Sequence, residues 1–93
     1  MQPLPPHSIV EGLARLPHWS EESGQLVRTF EFPRFEDAIR FVTEIARIAI
    51  EMDHHPDIQI RSCRVTLSST THDAGGLTPL DFELAARCDA LVR

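Results

Sequence analysis

Residues 35–60 read "FEDAIRFVTEIARIAIEMDHHPDIQI". In the first two-thirds, apolar side chains recur at Phe35, Ala38, Ile39, Val42, Ile45, Ala46, Ala49 and Met52. That i, i+3, i+4 spacing lines one face of a helix. Phe41 and Ile48 widen the stripe beyond what one sheet would cover, which predicts a second surface against the helix, such as another subunit. The helical period breaks at Asp53-His54-His55-Pro56, because a proline disfavours helical geometry in the residue before it. "DIQIR" and "RVTLSST" then alternate Ile58, Ile60 and Val65, Leu67, as the two strands of a hairpin do. A long amphipathic helix running into a hairpin is the centre from which the rest of the fold is read.

On the N-terminal side, "LVRTFEF" sets Leu26, Arg28, Phe30 and Phe32 against Val27, Thr29 and Glu31, the alternation of a strand that Pro33 stops. A short strand near Trp19 precedes it, with turn chemistry around Gly24. Ser8 followed three residues later by Glu11 fits a capping box opening a helix through "IVEGLARL". On the C-terminal side, "HDAGGL" reads as a loop. Thr78-Pro79-Leu80-Asp81 reads as a helix start, with Thr78 as N-cap, Pro79 at the first helical position and Asp81 reaching back. The last helix places Leu80, Leu84, Cys88 and Leu91 on one side. The order αββαββα with hairpin-linked strands predicts an α+β two-layer sandwich: a four-stranded antiparallel sheet with helices packed on one face.

Ninety-three residues make a single domain spanning residues 1–93. The net charge of −5, with nine scattered arginines and no lysine, argues against a direct nucleic-acid footprint. No stretch approaches the roughly 20 apolar residues that span a membrane, and "MQPLPPHS" lacks the basic and apolar regions of a secretory signal. Cys63 and Cys88 form neither a C-x-x-C pair nor a disulfide framework. A cytoplasmic protein is the expectation.

Adjacent helical residues point about 100° apart, so His54 and His55 can serve one site only where the helix ends. Strands of a hairpin run antiparallel, which places Asp57 near Thr70 and carries His72 back toward the two neighbouring histidines. Three imidazoles can therefore share one pocket. Asp81, in the first turn of the last helix, has a structural role as a capping acid beside any role in the site. A metal site is disfavoured, since adjacent histidines chelate poorly on regular backbone and neither cysteine lies near them in sequence. Gly75-Gly76 lacks the flanking pattern of a phosphate loop. His7 and His18 read as solvent-facing, Trp19 as a core or pocket-rim aromatic, and the cysteines as packing or turn residues.

These residues resemble the pterin-4a-carbinolamine dehydratase family, also known as dimerization cofactors of a homeodomain transcription factor. The likeness runs through "HWSEESGQLVRTFEFPRFEDAIRF", "DHHPDIQI" and "TTHDAGGLTPLDFELA". The spacings from His54 to His72 and from His72 to Asp81 match the family without a gap. The resemblance implies a catalytic set of His54, His55 and His72 supported by Asp81. It also implies pterin contacts from Asp53, His54, His55, Thr70, Thr71, His72 and Asp73. No cofactor is implied, and the partners are the pterin substrate and further copies of the chain in a homodimer or homotetramer. The chain departs from many animal members at Ile58 and Gln59, where an aromatic pair is common, and at Ser62-Cys63; it has no tyrosine. Those changes touch the hairpin, not the histidines.

The implied substrate is a 4a-hydroxytetrahydropterin, the carbinolamine left by aromatic amino-acid hydroxylases. Losing water requires removal of the N5 proton and protonation of the departing 4a-hydroxyl. Histidine, with an ordinary pKa of about 6.5, suits both transfers near neutral pH. The expectation assigns proton transfer to His54 and His72, and binding and orientation of the pterin to His55. The other expectation is a non-enzymatic scaffold or assembly cofactor on the same fold.

Overall fold

The computed structural model describes residues 1–93, in the order α1 (Pro6–Ala14), β1 (Ser20–Glu22), β2 (Gln25–Glu31), α2 (Phe35–Met52), β3 (Asp57–Arg61), β4 (Arg64–Ser69) and α3 (Pro79–Ala90). A single 3₁₀ turn, His72–Ala74, interrupts the connection from β4 to α3. The four strands form one antiparallel sheet in the order β1-β2-β4-β3. The α+β architecture is the one the periodicities predict. What they leave open is how the two hairpins meet, and the structure joins them through β2 and β4, from Leu26 opposite Ser69 to Glu31 opposite Arg64.

That register aligns the inward positions of both central strands. Leu26 and Phe30 of β2 and Val65, Leu67 and Ser69 of β4 are all buried on one face, as strict alternation requires. The opposite face, with Val27, Thr29, Thr66 and Ser68, is not buried. α2 and α3 cover the inner face, and the core closes on Phe41, Ile45, Ile48, Leu77, Leu84 and Cys88. Phe41 sits between Phe30 and Phe32, with ring centroids 4.6 and 4.9 Å away. At the far end of α3, Asp89 Oδ1 accepts from the Trp19 indole N–H (2.9 Å) and from Arg28 (2.6 Å), tying β2 and the β1 approach to that helix.

Two local expectations are corrected. The first helix does not open on a Ser8–Glu11 capping box: it begins at Pro6, after an extended Pro5, with no side-chain cap. Pro6 has its φ preset and lacks one of the N–H groups that a helix start leaves unpaired. Ser8 is therefore already inside the helix, its N–H donating to Pro5 O (3.0 Å). The segment ahead is anchored by the Leu4 N–H on Leu77 O (2.7 Å). One turn later Gly12 lets the helix approach α3 closely, since a Cβ there would run into the Phe82 ring.

The second correction concerns α2. Phe41 and Ile48 are not a flank awaiting a partner; they are buried against the sheet together with Ala38, Ile45 and Ala49. The helix is rolled so that the opposite shoulder is uncovered, where Phe35 is 53% and Ile39 37% exposed, beside half-buried Val42 and Ala46. The bulky Phe41 fills the space over Phe30 and Phe32 that a smaller residue would leave empty. No helix is long and apolar enough to cross a membrane.

Cys88 is fully buried and Cys63 is half-buried in the β3–β4 turn. Burial, reinforced by the neighbouring Asp89 carboxylate, pushes the Cys88 thiol up from 9.0 to about 12. The folded protein thus holds this proton at pH values where the unfolded chain has lost it. The stability Cys88 contributes is present below pH 9 and is lost as pH rises toward 12. With no lysine or tyrosine in the chain to titrate in that window, the denaturant midpoint is expected to fall above pH 9, and Cys88→Ala to flatten that fall. A thiol reagent at pH 8 should titrate only Cys63 until denaturant is added; two fast thiols in the native protein would contradict the burial.

Candidate active site

The site begins with the way α2 ends. Asp53 adopts a left-handed conformation (φ 50°, ψ 45°). Its N–H donates to Ile50 O (3.2 Å) and the His54 N–H donates to Ala49 O (3.0 Å). This pair of bonds is the Schellman motif, usually built on glycine. Asp is among the few side chains that tolerate that backbone. The helix therefore ends at Met52, four residues before Pro56, by its own C-terminal turn, and the chain reversal sends His54 inward while His55 stays exposed.

The hairpin brings the remaining groups. Its two-residue turn, with Ser62 at φ 54°, puts Asp57 opposite Ser68 rather than Thr70. Each step back from Asp57 is matched by a step forward along β4, so the chain after Ser69 rises to the level of His55 and His54. Thr70 is fixed there by donating its hydroxyl to Gly24 O (2.9 Å). Thr71 pairs with Gly76 across the loop, the Thr71 N–H donating to Gly76 O (3.2 Å). The enclosed 3₁₀ turn presents His72 and Asp73.

Asp53, His54, His55, Thr70, Thr71, His72 and Asp73 together line one cavity of about 230 Å³. No hydrophobic side chain lines it. The three histidines differ within it: His55 and His72 are exposed, whereas His54 is buried. No group of three or more His, Cys, Asp or Glu side chains is arranged to hold a metal ion.

Asp81 does not line this cavity. It lies beneath it, fully buried, and meets the site through His54. Its Oδ1 accepts from His54 Nε2–H (2.7 Å) and from the Ser69 hydroxyl (2.6 Å). Its Oδ2 accepts from the Thr71 hydroxyl (2.8 Å) and from the Thr78 N–H (3.0 Å). Oδ2 thus carries the helix cap together with the contact to Thr71, and Oδ1 carries the contact to His54. Since Thr71 gives its hydrogen to Asp81, Thr78 donates across the 2.8 Å Thr71–Thr78 contact while accepting from the Leu80 N–H (3.3 Å). Three donors, the Ser69 and Thr71 hydroxyls and the Thr78 N–H, point at this one carboxylate. A carboxylate oxygen accepts, so the His54 nitrogen facing Oδ1 carries hydrogen, and Nδ1 is left as the ring's other nitrogen.

A family model described as pterin 4 alpha carbinolamine dehydratase matches residues 2–91. The chain belongs to this family. A relative from Chloroflexus aurantiacus, provisionally named a pterin-4-alpha-carbinolamine dehydratase, is 54% identical over 84 residues, covering 90% of each chain. One from Acidobacterium capsulatum with the same provisional name is 47% identical over 92 residues, covering 99% of this chain and all of the relative. Among solved structures, a transcriptional coactivator/pterin dehydratase from Brucella melitensis superposes with a TM-score of 0.95 at 29% identity, covering 99% of this chain and 100% of that one. A pterin dehydratase-like protein identified as a RuBisCO assembly factor in the alpha-carboxysome gives a TM-score of 0.68 at 25% identity, over 78% of this chain and 87% of that one.

Against the family's residue set, the structure adds Ser69 and Thr78, which the sequence reading did not assign to the site. For Ser69 a signal was present: it continues the inward positions Val65 and Leu67, so a polar side chain there needs a buried partner. Thr78 was read only as a helix cap, and its link to Thr71 spans a loop that carries no periodic signal.

Proposed function

We propose that the protein eliminates water from a 4a-hydroxytetrahydropterin, 4a-hydroxytetrahydrobiopterin or a close relative, to give the quinonoid dihydropterin. This regenerates the pterin used by aromatic amino-acid hydroxylases in the cytoplasm. The observation that carries the reading is the convergence of His54, His55 and His72 on one polar cavity, within a chain of the pterin dehydratase family. The nitrogen beside the reacting carbon expels the hydroxyl, so the protein has to supply only proton transfers. His54 moves a proton through Nδ1, and Asp81 balances the imidazolium that forms. His72, on the opposite segment, serves the other proton. His55 binds and orients the ring, with Asp53, Thr70, Thr71 and Asp73 offering polar contacts to its edge. Acid–base catalysis by positioned groups contributes roughly 10² to 10⁴-fold, which suits an elimination that already proceeds unaided.

Stopped-flow measurement of carbinolamine decay tests this: purified protein should accelerate it, and a rate equal to buffer would refute the reading. Activity should survive exhaustive dialysis against EDTA, because no step calls for a Lewis acid; loss restored by zinc would overturn that.

The uncovered shoulder of α2, Phe35 and Ile39, supports a homodimer or homotetramer, with that shoulder buried between copies. Light scattering at micromolar concentration should report more than a monomer, and Ile39→Glu should lower the mass. A second reading, a non-enzymatic assembly scaffold, draws on the structural likeness to the RuBisCO assembly factor. The decay assay separates the two, since a scaffold has no use for the histidine set.

A further inference from the structure

We propose that Ser69 is a positioning residue for His54, acting through the Oδ1 atom of Asp81. The proposal rests on the dehydratase reading and deepens it. Ser69 ends β4 at an inward position and is 1% exposed, among residues whose other inward members are Val65 and Leu67. A hydroxyl in such a slot is unfavourable unless fully hydrogen-bonded, so its partners indicate what it holds.

There are two, and they are the two members of the pair. Ser69 Oγ lies 2.6 Å from Asp81 Oδ1 and 3.4 Å from His54 Nε2. The carboxylate takes the only hydroxyl hydrogen, so Ser69 turns a lone pair toward the imidazole. Nε2 therefore faces two acceptors, Asp81 Oδ1 and Ser69 Oγ, and carries hydrogen whether the ring is neutral or charged. Proton exchange with a bound pterin is confined to Nδ1. Thr71 and the Thr78 N–H fix Oδ2, but Oδ1 has no anchor besides Ser69 and His54 itself. Without Ser69, the carboxylate can tilt about its Cβ–Cγ bond, a broad torsion, and the imidazole tilts with it. The donors that hold Asp81 on the helix side would stay in place, so the loss falls on the ring's aim rather than on the fold.

The test compares Ser69→Ala with the wild-type protein and with Cys88→Ala, a core truncation outside the site. In ¹⁵N-edited NMR of the ligand-free proteins, the His54 Nε2–H proton should be a slowly exchanging downfield resonance in the wild type and in Cys88→Ala. In Ser69→Ala it should move and exchange faster with water. In the decay assay, Ser69→Ala should lower kcat by about tenfold, the worth of one hydrogen bond to a charged group, with KM unchanged. Ser69→Thr, which keeps the hydroxyl, should restore the resonance. Cys88→Ala should lower the melting temperature without moving the resonance or kcat. A Ser69→Ala protein with the wild-type resonance overturns the proposal, whatever its kcat. An altered resonance in a protein whose wild type leaves carbinolamine decay at the buffer rate would sustain the positioning role and refute the dehydratase reading.

Discussion

Asp81→Ala should destabilise the protein by about 3–5 kcal/mol, since several buried donors lose their acceptor at roughly 1–3 kcal/mol each where nothing replaces it. The substitution removes the acceptor for the Ser69 and Thr71 hydroxyls, the Thr78 N–H and His54 Nε2–H at once. Ser69 and Thr78 are each 1% exposed, so water does not readily replace the lost acceptor there. About 1 kcal/mol of the loss belongs to the helix cap, and the rest to the orphaned donors. Asp81→Asn keeps the shape, but its amide NH₂ must face one of the two donor pairs, so it should lose less stability while still dislodging His54 or the cap. Denaturant melts of both variants check the order. An Asp81→Ala midpoint within 1 kcal/mol of wild type would mean that the donors find other partners and that the hub is dispensable.

His54→Ala combined with His72→Ala should bring carbinolamine decay close to the unassisted rate, a loss of roughly 10² to 10⁴-fold in kcat. Either single change should chiefly lower kcat, and by less, because the remaining imidazole still transfers a proton on its own side of the ring. The pair acts on one reaction, so the combined loss need not equal the sum. His55→Ala should raise KM with a smaller effect on kcat, as expected when binding shared by ground and transition states is removed. The environments sharpen the contrast: buried His54 is held by Asp81, whereas exposed His55 and His72 have no such anchor. A folded double variant with wild-type kcat would refute the acid–base assignment.

Much of this arrangement could be read along the chain because it is local. The helical stripe from Phe35 to Met52, the alternation around Ile58 and Val65, and the Thr78-Pro79-Leu80-Asp81 helix start each depend on neighbours within a few residues. The same holds for the grouping of His54 and His55 with His72, since one hairpin links them. The Ser8–Glu11 reading failed for a local reason too: two candidate starts overlapped, and the prolines at residues 5 and 6 set the backbone first.

What the sequence by itself determined was therefore the set of elements, their order, and the candidate site residues at element ends. Only the tertiary structure decided that β2 pairs with β4, that Phe41 and Ile48 face the core while Phe35 and Ile39 do not, and that Asp81 reaches the site from below through His54. The physical reason is range. Periodicity records which side of an element is apolar, but α2 is apolar around more than one face, and packing against Phe30 and Phe32 chose its rotation. Likewise, the Ser69–His54–Asp81 contacts join a strand end, a helix end and a helix start that are 12 to 27 residues apart, and they exist only once the sheet and both helices have closed around them.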